Sequence, residues 1–382
     1  MCKKTGFKRL LNFTAKPMYR KLLIFSALAI VFIFSSCKKD KPSFEYKIDI
    51  LAKNLKVPWG LAYLPNGDLI FTERFGTINL LKKDSDSFNL IGTRPVLDLK
   101  EGGLLSIAVD PDFENTNYLF VYETVSAFNR IVRLIFKDGT ITEDKIILEE
   151  IPSHLFHNGG GLRFGTDGYL YIGTGDARNP NMAQDLDSLG GKILRVDKEG
   201  NPAPGNPFGS LVWTYGHRNV QGFDWNADGK MLATEHGPSG EINGWCCHDE
   251  LNLIEPGNNY GWPLALGGTE LSVDSSFTPP LAQSGDDTWA PSGGSFITGK
   301  MWKKWEGEFI LAGLRGERLI HFALNASADE VVNQADLFTG QYFRLRSVIM
   351  APDGSIIFCT SNIDGKNRPF LAGDDKIYRM YK

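Results

Sequence analysis

One pattern of polar and apolar positions recurs along the chain. A turn rich in Asp, Asn and Gly is followed by a short apolar or alternating stretch, and a polar residue closes the unit. The pattern occupies six segments: residues 64–74, 110–123, 165–176, 226–236, 305–315 and 351–362. Short strands repeated in this way are typical of a β-propeller, in which each repeat forms one sheet, or blade.

The repeat therefore predicts an all-β protein, a six-bladed β-propeller of four-stranded antiparallel sheets. No useful helical periodicity and no Pro/Ser-rich linker interrupts it, so we expect one domain over residues 44–382. Equivalent strands of a propeller end on the same face around the central channel. The polar residues that close the repeats should converge there: Glu73, Glu123, Asp176, Glu235 with His236, Arg315, and Ser361 with Asn362.

The N-terminal segment 1–36 is typical of a targeting signal. A basic start precedes an apolar run at 22–34, which is short for a membrane span. One interpretation is a signal peptide cleaved near Ser36. We favour a lipoprotein signal with a lipidated Cys37, because this cysteine follows the apolar run directly. Residues 37–43 would then be a polar tether, and we expect a monomer anchored by its lipid in the bacterial cell envelope, facing the periplasm or the cell surface.

Composition narrows the function classes. Hydrophobic residues make up 42% of the chain and charged residues 23%, which suits a sizeable core, and 41 glycines suit many turns. The formal net charge of −4 argues against a nucleic-acid partner. Downstream of Cys37 there are three cysteines, too few for a disulfide scaffold. The adjacent Cys246 and Cys247 form either a vicinal disulfide or two thiols.

A histidine on glycine-rich backbone is the first candidate for chemistry. His157 and Asn158 precede the glycines 159–161, and the strand that follows leads to Asp176. Glycines let another molecule approach the backbone closely. A carboxylate beside an imidazole fixes its tautomer and suits it to general-base work. An ordinary loop histidine is the alternative.

A possible calcium site lies C-terminal to the segment of His157 and Asp176. "EHGPSGE" places Gly237 and Pro238 after a strand, and Asp249 and Glu250 follow. Backbone carbonyl and carboxylate oxygens are ligands for calcium. A solvated polar turn has the same composition, so the pattern leaves both interpretations open.

Arginines near the end of the chain indicate an anion. Arg344 and Arg346 alternate in "YFRLRS", so both face one side of a strand, and Arg315 closes the fifth repeat. Guanidinium groups collected at one channel repel each other unless carboxylates of the blades or a polyanionic ligand compensate them. A small planar polycarboxylate would suit bidentate arginine contacts.

Six motifs, in this order, resemble the soluble PQQ-dependent sugar dehydrogenases, the glucose, aldose and sorbosone dehydrogenase group. They are "EGGLLSIAVDPDF", "HNGGGLRFGTDGYLYIGTGD", "GGKILRVD", "GHRNVQG", "EHGPSG…DELNLI…NYGWP" and "RLRSVIMAPDG". The resemblance covers nearly all of the chain after the tether and implies a six-bladed propeller. It also implies PQQ and calcium as cofactors, and oxidation of the anomeric C1 hydroxyl of aldoses to lactones with an unknown electron acceptor.

The resemblance assigns roles to individual residues. It implies His157 as the catalytic base, Asp176 as its partner and Arg218 as the group that polarises the quinone. The residues that it implies for cofactor binding are Arg218, Asn219, Arg315, Arg344, Arg346 and Glu101. Those that it implies for calcium are the carbonyls of Gly237 and Pro238, with a second, structural calcium near Glu250 and the carbonyl of Tyr260.

The sequence departs from the family pattern in two ways, and two other functions remain as alternatives. The segment "SGEINGWCCH" is longer than in the glucose enzymes and holds the cysteine pair, and the compact chain is closer to the aldose dehydrogenases. A non-catalytic propeller that binds a protein or glycan would not need the histidine, the aspartate and the arginines together. A calcium-dependent lactonase would need carboxylate and asparagine ligands around a central metal, without an arginine cluster.

Overall fold

The computed structural model describes residues 45–240, 244, 246–268, 276–365 and 373–382. The predicted signal and tether lie outside this part of the chain. Within it, 24 strands form six four-stranded antiparallel sheets, which confirms the six-bladed β-propeller. The described helices are too short to cross a membrane.

The strands follow each other in chain order, four to a blade. The first strand, β1 (Lys47–Leu55), belongs to the last blade. Blades one to three are β2 Pro58–Tyr63, β3 Leu69–Glu73, β4 Thr77–Leu81, β5 Phe88–Thr93, β6 Leu104–Val109, β7 Tyr118–Thr124, β8 Asn129–Lys137, β9 Thr140–Ile151, β10 Gly161–Phe164, β11 Leu170–Gly173, β12 Lys192–Val196 and β13 Val212–Tyr215.

The remaining blades continue the same order. They are β14 Val220–Trp225, β15 Met231–Glu235, β16 Glu250–Ile254, β17 Ala282–Gln283, β18 Pro291–Phe296, β19 Phe309–Gly313, β20 Arg318–Leu324, β21 Val331–Leu337, β22 Leu345–Met350, β23 Ile356–Thr360 and β24 Asp375–Tyr381. The described chain also has one short α-helix, Phe113–Thr116, and two 3₁₀ turns, Pro180–Gln184 and Lys300–Trp302.

The sixth blade closes the ring with both ends of the described chain. β1 pairs with β24, from Lys47 opposite Tyr381 to Leu55 opposite Asp375. The Asp375 carboxylate also accepts a hydrogen bond from the backbone N–H of Val57 at 3.0 Å. Closure thus joins residues more than three hundred positions apart in the sequence.

The predicted repeat strands are the second strands of the blades. All residues of β3, β11, β15, β19 and β23 are buried, because these strands are covered by blades on both sides. The innermost strands crowd around the axis. A Cβ added to Gly60 in β2 would lie 2.6 Å from the backbone nitrogen of Ile107 in the next blade. This crowding leaves a central cavity of about 320 Å³ with Arg346 in its lining.

Candidate active site

The loop before β10 carries His157 to the face where the second strands end. His157 has a φ of 62°, and its carbonyl packs against Gly175, where an added Cβ would lie 1.9 Å from that oxygen. Its backbone N–H donates to Oε2 of Glu101 at 2.8 Å. The glycine that precedes Asp176 is therefore needed so that the two loops can touch.

His157 and Asp176 meet as the sequence predicts. Nδ1 of the histidine lies 2.7 Å from Oδ1 of the aspartate, and the indole N–H of Trp262 donates to Oδ2 at 2.8 Å. Burial acts to raise the pKa of Asp176. The hydrogen bond from His157, the charge of Arg218 and the indole outweigh it and hold this pKa below its usual range. Asp176 is thus an ionised acceptor that orients the imidazole.

Arg218 fixes the other ring nitrogen. Its Nη2 donates to Nε2 of His157 at 2.8 Å, and its guanidinium lies 5.3 Å from the ring centre of Trp262. A guanidinium only donates hydrogen bonds. Nε2 is therefore the acceptor nitrogen, and Nδ1 carries the proton that is donated to Asp176. The histidine is neutral, with its lone pair on the side of Arg218.

The neighbours of Arg218 hold this arrangement. The backbone N–H of Arg218 donates to the carboxylate of Glu235, which also accepts from Nδ1 of His217. The Asn219 side-chain oxygen accepts from the N–H of Gly159 at 2.9 Å, and so connects this loop with the loop of His157. The sequence places His217 beside Arg218 and Asn219 in the motif "GHRNVQG" but assigns a role only to the latter two.

The buried Arg74 and Arg346 and the half-buried Arg344 form an arginine group in the same region. Burial and the charge of Arg344 lower the pKa of Arg346 to about 10, against the opposing effect of Asp364. Nη1 of Arg346 donates to Gln221 at 3.2 Å, and its guanidinium lies 5.4 Å from the ring centre of Trp59. Nε has no hydrogen-bond partner among the described residues. The group is therefore only partly compensated within the described chain.

The sequence did not predict Arg74, a member of the arginine group, or its counter-ion Asp364. Asp364 pairs with Nη2 of Arg74 at 3.0 Å and lies 3.5 Å from Nη2 of Arg346. Arg74 also donates to the carbonyls of Asp98 and Gly102. Arg74 directly follows the polar residue that closes the first repeat, and this position was the available signal. Nothing in the sequence pairs it with Asp364.

Two of the residues expected to converge are paired elsewhere. Glu73 accepts hydrogen bonds from the backbone of Lys56 and from Thr77. Glu123 is buried between Arg94 and Arg130. These carboxylates are directed at partners in and beside their own blades, because a buried charge needs a close counter-charge or donor. Arg315 is exposed, and its place at the channel stays a prediction.

The residues predicted for two separate calcium ions line one small cavity. Gly237, Pro238, Glu250 and Tyr260 line a cavity of about 10 Å³, which also has Arg218 in its wall. Burial and the charge of nearby Glu235 raise the pKa of Glu250. Among the described residues, no group of three or more His, Cys, Asp or Glu side chains is placed to hold a metal.

The cysteine pair lies behind this cavity. Cys246 and Cys247 are joined by a disulfide. An added Cβ on Gly237 would lie 1.9 Å from the Cys247 carbonyl oxygen, and the Gly237 N–H donates to Asp249 at 3.0 Å. Segment 246–249 thus supports the Gly-Pro turn. Of the two alternatives that the sequence leaves open, the structure has the disulfide.

Comparison with known proteins gives a consistent result. The aldose sugar dehydrogenase YliI of Escherichia coli K12 is 30% identical over 349 residues, covering 84% of this chain and 91% of that protein. The PQQ-bound aldose sugar dehydrogenase of Streptomyces coelicolor has a TM-score of 0.77 and 38% identity, covering 88% of this chain and 98% of that one. A putative oxidoreductase (glucose dehydrogenase) of Thermus thermophilus has a TM-score of 0.80 and 36% identity, covering 88% and 100%.

Residues 55–372 match the glucose/sorbosone dehydrogenase family. This match spans most of the chain and includes the loops of His157, Arg218 and Arg346. The geometry of these loops and the similarities in sequence and structure lead to one conclusion: the chain is an oxidoreductase of the glucose/sorbosone dehydrogenase family.

Proposed function

We propose that this protein uses PQQ to oxidise the anomeric C1 hydroxyl of aldose sugars, giving lactones. The observation that carries the proposal is the neutral His157, whose Nε2 lone pair is positioned by Asp176 and faces Arg218. A base of this kind, beside a partly compensated arginine group, suits proton removal from a substrate next to an anionic cofactor. The PQQ-bound Streptomyces relative supports the choice of cofactor.

The residues present fit such a cofactor. Arg344 and Arg346 would hold its carboxylates, since Nε of Arg346 lacks a partner among the described residues. Asn219, beside Arg218, and Glu101, which accepts from the His157 N–H, would line the same space. Arg315 is exposed, and it is the third arginine proposed to contact the cofactor. When bound, PQQ supplies a quinone carbonyl carbon that accepts a hydride.

Calcium is the second proposed cofactor. The carbonyls of Gly237 and Pro238 would bind the ion that contacts PQQ, and Glu250 with the Tyr260 carbonyl would hold a structural ion. The fit rests on two observations. Burial and the charge of Glu235 raise the pKa of Glu250, and Oδ1 of Asn252 is buried without a hydrogen-bond partner among the described residues. A cation would neutralise the carboxylates and favour oxygen ligands.

The chain's own residues would handle the proton. The sugar hydroxyl replaces Nη2 of Arg218 as the donor to Nε2 of His157, and the imidazole takes its proton. Asp176 stabilises the resulting imidazolium through Nδ1. Arg218, released from the imidazole, keeps its charge close to the negative charge that develops as the proton leaves.

The two competing functions have less support. A binding module would not need a neutral histidine held between an ionised aspartate and an arginine. A lactonase would need a central metal with carboxylate and asparagine ligands, whereas Arg346 and Gln221 line the central cavity here.

The direct test loads the purified full-length protein with PQQ and calcium, and measures reduction of an artificial electron acceptor with a panel of aldoses. We expect turnover with lactone as the product, and loss of turnover when a chelator removes calcium. Lactone hydrolysis without PQQ would support the lactonase instead. Tight PQQ binding without turnover of any aldose would contradict the proposed reaction.

We also propose that the chain is a lipid-anchored monomer of the bacterial cell envelope. Support comes from the apolar run that ends at Cys37 and from the polar residues that follow it. Mass spectrometry of the protein from its native membrane is expected to give a mature chain that starts at a lipidated Cys37. A soluble form cleaved elsewhere would contradict this proposal.

A further inference from the structure

The arginine group already contains one carboxylate of its own. Asp364 lies beside β23, and its side chain is 15% exposed. Oδ1 makes a normal ion pair with Arg74 at 3.0 Å, while Oδ2 lies 3.5 Å from Arg346 and accepts from Ser361 Oγ at 3.1 Å. A single carboxylate therefore bridges two buried guanidinium groups.

Another ion pair in this protein shows how an arginine holds a carboxylate fully. Arg94 binds Glu123 through both Nε, at 2.8 Å, and Nη2, at 2.9 Å. These two nitrogens form the side edge of the guanidinium fork, which matches the two oxygens of a carboxylate. A bidentate pair of this kind uses the whole edge.

The same edge of Arg346, formed by Nε and Nη2, has no bidentate carboxylate partner among the described residues. Its Nε has no hydrogen-bond partner among the described residues, and its Nη2 has only the longer 3.5 Å contacts with Ser361 and Asp364. An external carboxylate that binds this edge as Glu123 binds Arg94 would have to take Nη2 from Asp364. It would also approach a negative charge that Arg74 holds in place.

We propose that Asp364 is an internal competitor for the side edge of Arg346 and thereby sets how tightly the site binds the carboxylates of its cofactor. The inference rests on the proposed function for the identity of that cofactor. It assigns Asp364 the role of an affinity-determining residue that does not touch the reacting atoms. Arg74 anchors the competitor through Oδ1, so Asp364 remains near Arg346 when the cofactor binds.

The test is an equilibrium titration of the cofactor-free full-length protein with PQQ in the presence of calcium. Binding is followed by quenching of tryptophan fluorescence and by calorimetry. Asp364→Asn keeps the shape of the side chain and removes its charge, and it is expected to bind PQQ about tenfold more tightly. The matched control is Asp353→Asn, which removes the same charge from an ion pair with Arg379 elsewhere in the propeller. Its affinity should equal that of the parent.

Two further arms complete the test. Asp364→Glu keeps the charge on a longer arm that reaches Arg346 more closely, so it should bind PQQ more weakly than the parent. This variant decides the matter if circular dichroism shows that Asp364→Asn does not fold. The trimethyl ester of PQQ carries no carboxylate charge, and the parent and Asp364→Asn should bind it equally.

Unchanged or weaker PQQ binding by Asp364→Asn would overturn the inference, as would tighter binding by Asp364→Glu. In either case Asp364 orients Arg346 or is irrelevant to it, and the proposed function is unaffected. A parent protein that does not bind PQQ at all would contradict the proposed function, and this inference with it.

Discussion

At the scale of single residues, the site depends on which nitrogen of His157 carries the proton. Arg218 can only donate to Nε2, so the proton is on Nδ1 and is directed at Asp176. The Nε2 lone pair, which accepts from Arg218, is the base proposed to take the proton of a substrate hydroxyl. The site can therefore be tested by changing the base and its orienting carboxylate separately.

The first prediction concerns His157. His157→Ala should retain PQQ and calcium, because the proposed role of the histidine is to contact the substrate hydroxyl. Reduction of the bound quinone by an aldose should slow by about 10²–10⁴-fold, the usual effect of losing a positioned base. Stopped-flow absorbance of the loaded protein measures this step. A variant almost as fast as the parent would place the base elsewhere, with His236 and Glu101 as the next residues to change.

The second prediction concerns pH and Asp176. Its folded pKa lies below the ordinary value of 3.8. A depressed carboxyl pKa contributes stability above the unfolded pKa, and that stability is lost as the pH falls through the folded value. The difference in free energy of unfolding between the parent and Asp176→Asn should therefore be largest near neutral pH and shrink below about pH 4. Denaturant unfolding at several pH values measures it, and a difference independent of pH would contradict an ionised Asp176.

At the scale of elements, the Gly237-Pro238 turn depends on the segment behind it. Asp249 accepts the Gly237 N–H, and its other oxygen accepts the backbone N–H groups of Trp289 and Ala290 at 2.8 Å. The disulfide of Cys246 and Cys247 closes a ring two residues before this aspartate. The carbonyls proposed to bind calcium are thus positioned by a loop that the cysteine pair restricts.

The third prediction tests this support. A double variant, Cys246→Ser with Cys247→Ser, should bind PQQ and calcium about tenfold more weakly, because loop ordering must then be supplied on binding. A dithiol reductant should weaken binding to the parent similarly and leave the double variant unchanged, so the variant controls for other effects of the reductant. Equal affinities in all four samples would show that the disulfide does not support the turn.

At the scale of the whole molecule, the ring is closed by pairing of β1 with β24 and by Asp375. This carboxylate accepts the N–H of Val57, and it also accepts the N–H of Asn362 at 2.5 Å, next to the loop of Asp364. The N-terminal strand is therefore tied to the same turn that carries part of the arginine group. One buried side chain thus contacts both the ring closure and the turn that leads to Asp364.

The fourth prediction follows from this closure. Asp375→Ala leaves backbone N–H groups without their acceptor in a buried place, and should lower the free energy of unfolding by about 2–4 kcal/mol. Asp86→Ala, at an exposed position, is the matched control and should change it little. Equilibrium unfolding in urea measures both. Equal stability of the two variants would show that closure does not depend on this carboxylate.

The sequence predicts the ring of blades because each repeat has its own turn and strand signals. It singles out His157 and Asp176 as partners because both belong to one short-range motif, but it expects one strand between them. The structure has two, because β10 and β11 form an antiparallel hairpin that returns the chain to the side where it began. The sequence does not predict the pairing of Arg74 with Asp364, which are 290 residues apart and meet only through ring closure. A repeat also predicts at which end of a strand a polar residue lies, but it does not predict the partner of that residue. Glu123 therefore forms ion pairs with Arg94 and Arg130 and does not face the channel.

The central claim, that an aldose gives up its C1 hydrogen to PQQ in this site, is tested most directly with deuterium. The protein loaded with PQQ and calcium is mixed in a stopped-flow instrument with an aldose, and then with the same sugar deuterated at C1. The account predicts that the quinone absorbance is lost in both cases and more slowly with the deuterated sugar, because the C1–H bond breaks in the measured step. No loss of quinone absorbance with any aldose, or equal rates with both sugars when this step is rate-limiting, would contradict it.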